Sequence, residues 1–346
     1  IKKIFCFFKL LMTTAFNTVQ NTQIEPDYSA KTIFNSILLY IPRIQVLSLP
    51  MNNLCGALFT NDFLETLKLL KEVTYLNLAS NSISDEDLKP FTEYLKGNKT
   101  IKTLILDHNL ITTTGGFFFA DALVKNKTLL TLSLSKNEVN ESGFSSMINI
   151  LTNSNNTLQE LYIAENNLHH DDYSAIADYF NANPALKTLD LSGNKIDNTS
   201  ANVMGVTLKK AKQLQTFKLN STNLNEESGP QLLNFIPDTN IKTLELNHNN
   251  IGKALFMLIN KIRVTQSLKC LGLKQCGIMS SFLDIMAANI KNTVNLDEIH
   301  LEGNSFDEVN FKKFIKEMED NTKIVIYFSK GMIPKKATDI IGNNKN

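Results

Sequence analysis

The chain has 346 residues, 43% of them hydrophobic and 20% charged, with 35 basic side chains against 34 acidic ones and a formal net charge of +1. This is the composition of a soluble globular protein with ample length for a large core. The balanced charge argues against a general nucleic-acid or anionic-membrane binder, which carries a basic excess or stripe.

Four cysteines, Cys6, Cys55, Cys270 and Cys276, are scattered without a CxxC pair. A disulfide framework needs more of them, more regularly placed, so the chain suits a reducing compartment and a cytoplasmic location. A zinc site built on thiolates lacks its ligands, and neither a metal nor a cofactor is expected. No apolar run approaches the roughly 18 residues that span a bilayer.

Taken in chain order, residues 1–27 read as a flexible lead-in. Their opening "IKKIFCFFKLLM" imitates a signal peptide, but Lys9 interrupts the apolar run, no A-x-A cleavage site follows at once, and "MTTAFN" from Met12 reads as an ordinary start. Residues 28–43 place Ile33, Phe34, Ile37, Leu38 and Ile41 at helical spacing, which predicts an N-terminal capping helix. Residues 44–322 are a repeat. From "IQVLSLPMNNL" (44–54) to "LDEIHLEGNSF" (296–306), ten segments share the pattern L-x-x-L-x-L-x-x-N-x-L with a period of 27 to 29. The first apolar position packs beneath a strand, and the fourth and sixth point inward from it, as two-residue alternation requires. The ninth position is Asn52, Asn81, Asn109, Asn137, Asn166, Asn194, Asn249 and Asn304, with Thr222 and Cys276 in two copies. A side-chain amide there both donates and accepts, so stacked copies predict a buried polar ladder.

Between these modules, "SDEDLKPFTEYLKGN" (84–98) and "DDYSAIADYFNAN" (171–183) have helical apolar spacing, and Ser84 with Asp87 reads as a capping box. One strand and one helix per repeat make an α/β solenoid. Strands about 4.8 Å apart line the concave side, while helices about 10 Å across splay along the convex side and force curvature. Residues 323–346 read as a C-terminal cap, a last strand lacking the Asn step, and a tail.

The long alternating repeat, the small residue four positions past the last apolar one (Gly115, Gly143, Ser200) and Cys276 in place of Asn resemble the ribonuclease-inhibitor-like class of leucine-rich-repeat proteins. The resemblance covers about residues 44–328. It implies a right-handed α/β horseshoe of about ten repeats with a parallel sheet on its concave face, and a protein partner docked there.

The stretch "LHHDDYSA" (168–175) gathers two histidines and two aspartates. Leu168 closes the fifth repeat, so the four residues fall in the loop entering a helix, where consecutive side chains cannot converge on one ion. Asp171 or Asp172 suits a helix cap, and the stretch is read as a solvated capping loop. Cys270 has no arranged base, "TTTGG" (112–116) lacks a P-loop ending, and Phe117–Phe119 reads as core filling. No catalytic residue is expected.

Function is therefore expected on the outward positions of the concave strands. An apolar-aromatic patch, Val46, Pro50, Met51, Tyr75 and Ile105, precedes an acidic run, Asp107, Glu160, Glu165, Asp190, Glu245, Glu298 and Glu302, with Tyr162 among the acids. His108, Lys218 and His300 complete the candidate partner-binding residues. Such a face predicts a protein partner with a basic or mixed surface, bound by a chain that is monomeric when free. The resemblance further implies an inhibitor that occludes an enzyme's active site. The Asn-, Lys- and Ile-rich composition also resembles leucine-rich-repeat effectors that intracellular bacterial pathogens secrete into the host cytosol. The alternative is a GTPase activator of the Ran type, whose long acidic C-terminal tail has no counterpart in "NNKN".

Overall fold

The computed structural model describes residues 43–329 apart from 183, 184, 292, 294, 320 and 322. The expected lead-in (1–27), nearly all of the capping helix (28–43) and the tail beyond residue 329 lie outside these residues.

Eleven three-residue strands form one parallel sheet in sequential order, from β1 (Val46–Ser48) and β2 (Tyr75–Asn77) through β3 (Thr103–Ile105), β4 (Thr131–Ser133), β5 (Glu160–Tyr162), β6 (Thr188–Asp190), β7 (Thr216–Lys218), β8 (Thr243–Glu245), β9 (Cys270–Gly272) and β10 (Glu298–His300) to β11 (Val325–Tyr327). Every pairing joins the third, fourth and fifth positions of one repeat to the same positions of the next, as in Tyr75↔Thr103 and Asn77↔Ile105. The register is fixed because the central residue of each strand, Leu76, Leu104, Leu132 or its equivalent, is buried. A one-residue slip would turn the whole row to solvent.

The convex side carries α1 (Leu64–Leu69), α2 (Asp85–Gly97), α3 (Thr113–Lys125), α4 (Glu141–Asn153), α5 (His170–Asn181), α6 (Asn198–Leu208), α7 (Ser228–Leu233), α8 (Leu255–Lys261), α9 (Phe282–Ile290) and α10 (Glu308–Met318). Ser84 and Asp87 form the expected capping box at the start of α2. Helices α3 and α4 approach backbone to backbone. A Cβ on Gly143 would stand 2.0 Å from the Thr113 carbonyl oxygen, which explains the small residue at this repeat position. Of the phenylalanine run on α3, only Phe119 enters the core. Phe117 is 44% exposed, a correction to its reading as core filling, because the helix turns it away from the sheet.

The ninth-position amides tie the repeats together. Asn81 Oδ1 accepts the N–H groups of Asn52 and Leu54 in the preceding repeat, and its Nδ2 donates to the Leu49 and Leu78 carbonyls. Asn109, Asn137, Asn166, Asn194, Asn249 and Asn304 likewise accept from the preceding repeat and donate into it. Asn52 departs from the buried ladder. It is exposed and donates to Pro50 in its own turn, because no earlier strand stands beside it among the described residues. The Thr222 hydroxyl stands within donating range of the Leu219 carbonyl of its own repeat and of Asn249 Oδ1 in the next, with no bond back into the preceding repeat, and Ile196 N–H turns instead to the Thr222 carbonyl. Cys276 Sγ still reaches back to the Leu246 carbonyl.

A second ladder, not anticipated, runs along the ends of the helices. Asn126 Nδ2 donates to Leu95 and Asn98 carbonyls while its Oδ1 accepts from Thr128 and Leu129. Asn155 repeats the pattern, and Asn98 and Asn321 accept in the same way. These residues precede a repeat's first apolar position by three, a spacing the sequence does display.

Candidate functional site

The concave surface follows from strand alternation. With the fourth and sixth positions buried, the third, fifth and seventh face the open side. The eighth position joins them because the chain turns there into the left-handed region. Met51, Ser80, His108, Lys136, Glu165, Gly193, Ser221, His248, Gln275 and Gly303 all have φ between +51° and +76°. Only two of these are glycines, so each of the other eight carries strain on the order of 1–2 kcal/mol. The turn swings the ninth-position residue under the sheet, where its hydrogen bonds offset the strain.

All twelve candidate partner-binding residues lie on this face, half-buried except for the exposed His108 and Glu165. At the N-terminal end Val46 is 37% and Met51 80% exposed, and Val46 pairs in register with Tyr75, one strand from Ile105.

In the middle lie three carboxylates. Asp107 accepts from the Ser133 hydroxyl and the Ser135 N–H, yet burial holds its carboxyl above the usual range. Glu160 accepts from the Thr131 hydroxyl at 3.1 Å and the Tyr162 phenol at 3.4 Å. Asp190 accepts from the Ser192 N–H at 3.0 Å. Tyr162 sits between them, its phenol pushed up to about 12 by burial and then by the charge and hydrogen bond of Glu160 and the charge of Asp190. None of the three acids makes an ion pair among the described residues. Thr131, Ser133 and Ser135, which hold two of them, come from the third, fifth and seventh positions of the fourth repeat and were missed, although register alone makes them neighbours.

Towards the C-terminal end the acids are compensated. Lys218 meets Glu245 at 3.2 Å, Lys274 meets Glu302 at 2.9 Å, and Glu245 also accepts from Asn220. Glu165 faces Lys136 at 3.5 Å, and His108 Nδ1 lies 3.2 Å from the Ser80 hydroxyl. The continuous acidic run read from the sequence is thus divided. Equal positions of adjacent repeats lie side by side, so a lysine one period away neutralises its acidic neighbour.

In the stretch Leu168–Ala175 Asp172 caps the helix, as its sequence suits, but the reading of the stretch as solvated needs correction. His169 is the N-cap of α5, and Asp172 is buried, not solvated. Asp172 occupies the small-residue position of its repeat and accepts from the His169 N–H at 2.8 Å and from the Glu141 N–H of the preceding repeat at 3.2 Å. Burial dominates these bonds and raises its carboxyl above the usual range. His170 Nδ1 turns to the Ser200 hydroxyl, so the two histidines do not converge with the acids.

A family model described as Leucine Rich repeat matches residues 73–91, 182–202 and 238–254. The fold is an α/β leucine-rich-repeat solenoid. The leucine-rich repeat-containing protein LegL7 from Legionella pneumophila is similar over 87% of this chain and 97% of its own, at 18% identity and a TM-score of 0.56. A chain of the Rad7–Elc1 complex in yeast is similar over 88% of this chain and 76% of its own, at 17% identity and a TM-score of 0.57. Both likenesses are of fold. No curated protein sequence matches the chain. Within the leucine-rich-repeat solenoid, no described helix is long and apolar enough to cross a membrane. Burial, aided by the charges of Glu298 and Glu245, pushes the Cys270 thiol up to about 11, so it is a poor nucleophile at neutral pH.

Proposed function

We propose that the chain is a non-catalytic scaffold that docks a partner protein in its concave face. The observation that carries this reading is the group of carboxylates without an ion pair among the described residues, Asp107, Glu160 and Asp190, around the half-buried Tyr162 on a rigid sheet. An aromatic anchor amid like charge is where interface energy concentrates, and the acids steer a partner with a basic or mixed surface. Tyr75, Ile105, Val46 and Met51 supply an apolar flank. A chain of similar fold occurs in the Rad7–Elc1 complex, a protein–protein assembly. Occlusion of an enzyme's active site is the regulatory act that a broad concave surface performs, and the chain itself is monomeric before docking. The Asn-, Lys- and Ile-rich composition extends the reading to a bacterial effector acting in a host cytosol.

The test is affinity capture with the wild type, a concave variant (Tyr162→Ala, Glu160→Lys, Asp190→Lys) and a convex control, Glu86→Lys on α2, all checked for native circular dichroism. A single basic protein held by the wild type and the control, lost from the concave variant and released by salt, supports the reading. Retention of that protein by the concave variant refutes it.

A further inference from the structure

The two C-terminal strands of the concave sheet gather side chains that no local motif brings together. Cys270 on β9 pairs in register with Glu298 on β10, and His300 follows Glu298 by two residues, on the same face of the same strand. One ligand atom from each, the thiol sulfur, a carboxylate oxygen and an imidazole nitrogen, lies within 4.8 Å of the other two, and all three residues are half-buried. We propose that Cys270, Glu298 and His300 form a three-ligand site for zinc or a similar borderline divalent cation, with its fourth position open to the concave groove.

Four features support this. The donor set is one sulfur, one nitrogen and one oxygen, the mixture that zinc accepts and that hard cations such as magnesium do not. A thiolate and a carboxylate also neutralise a divalent charge. Ligand atoms in a zinc tetrahedron stand about 3.3–3.8 Å apart, given zinc–ligand distances of about 2.0–2.3 Å. Contraction by about 1 Å is within the reach of cysteine and glutamate rotamers.

The second feature is the surroundings of the imidazole. His300 Nε2 lies 3.6 Å from Glu298, while its Nδ1, buried without a hydrogen-bond partner, lies 3.6 Å from Glu302. A metal-binding histidine gives its other ring nitrogen to a carboxylate, which fixes its tautomer and orientation, and Glu302 stands just beyond hydrogen-bond distance of that nitrogen. Glu302 is itself held by Lys274 at 2.9 Å. Third, Tyr327 on β11 stacks on the imidazole with centroids 4.4 Å apart and planes 4° from parallel, so the ring is pre-oriented. Fourth, Gly272 occupies the strand position beside His300 and brings no side chain of its own there, leaving that space to the Asn247 amide, whose oxygen would lie 2.9 Å from a Cβ on Gly272. Cys270 and His300 stand thirty residues apart in sequence, and only the solenoid's register brings them together.

The test uses the full chain, stripped with a chelator and titrated with cobalt(II), whose spectrum reports thiolate ligation directly. One equivalent is expected to give a thiolate-to-cobalt charge-transfer band in the near ultraviolet together with intense visible bands of a four-coordinate ion. Cys270→Ser removes the charge-transfer band, and a double Cys6→Ser/Cys55→Ser variant keeps it. Glu302→Gln keeps the band and weakens affinity by about 10-fold or more, as loss of an orienting carboxylate does. Should Cys270→Ser fail to fold, His300→Gln carries the test, with the visible bands expected to lose intensity and affinity to fall. Absence of the charge-transfer band from the wild type, its survival in Cys270→Ser, or its loss from the Cys6/Cys55 double variant would overturn the proposal.

Discussion

Gly143 and Tyr173 show how tightly single side chains are constrained in this solenoid. A methyl on Gly143 would stand 2.0 Å from the Thr113 carbonyl oxygen of the preceding helix, so one backbone must shift. Gly143→Ala is expected to cost about 2–3 kcal/mol in urea unfolding, as overpacked core positions do. Tyr173 is fully buried and its hydroxyl has no hydrogen-bond partner. Removing that hydroxyl in Tyr173→Phe is expected to raise stability by about 1 kcal/mol, and a loss of the same size would show that the hydroxyl is satisfied in solution. Its neighbour Asp172 gives a pH signature. Its folded carboxyl titrates above the unfolded value, so the folded state holds the proton more tightly and stability falls as pH rises through that window. Unfolding of the wild type and Asp172→Asn between about pH 4 and 7 is therefore expected to show the wild type losing ground to the variant as pH rises. The sequence displayed Asp172 plainly, and its place at the small-residue position was the one sign of its burial, since that burial comes from the neighbouring repeat.

At the scale of one strand–helix unit, a single side chain does the work of several backbone contacts. Asn166 Oδ1 accepts the Val139 N–H, and its amide donates to the Leu134 and Ala164 carbonyls. Asn166→Ala orphans buried groups on both sides and is expected to cost about 2–3 kcal/mol. The same substitution at the exposed Asn52 is expected to stay within about 0.5 kcal/mol. Ten repeats in phase, eight of them with Asn at the ninth position, made this ladder, the strand positions and the outward face legible from the sequence. Less legible were relations between units. The helix-end ladder of Asn98, Asn126 and Asn155 has a spacing one could have sought. The pairings Lys218–Glu245 and Lys274–Glu302, which divide the acidic run, required each repeat to be laid beside the next. Cys270 with His300 required both register and strand alternation. In each case the missing information was lateral, and a linear reading averages it away.

Across the whole molecule the units are not equally well tied. Repeats two to six carry uninterrupted Asn rungs and helices of 11 to 13 residues, whereas α7 and α8 have six and seven residues and the ladder is broken at Thr222. Hydrogen exchange is expected to be slowest in β2–β6 and faster in β7–β9, and equal protection throughout would mean that helix length and the Asn rungs contribute little. The sequential strand order has a mechanical consequence. No strand is inserted between two others, so the sheet can be taken apart only from its ends or at a seam, one neighbour at a time. Held by its termini and stretched, the chain should not rupture as a single block. It should peel, each event releasing a period of 27 to 29 residues, or about 90–100 Å of extended chain. A force trace would then read as a ladder of near-equal lengths, with its weakest rungs at the repeats where the amide is missing.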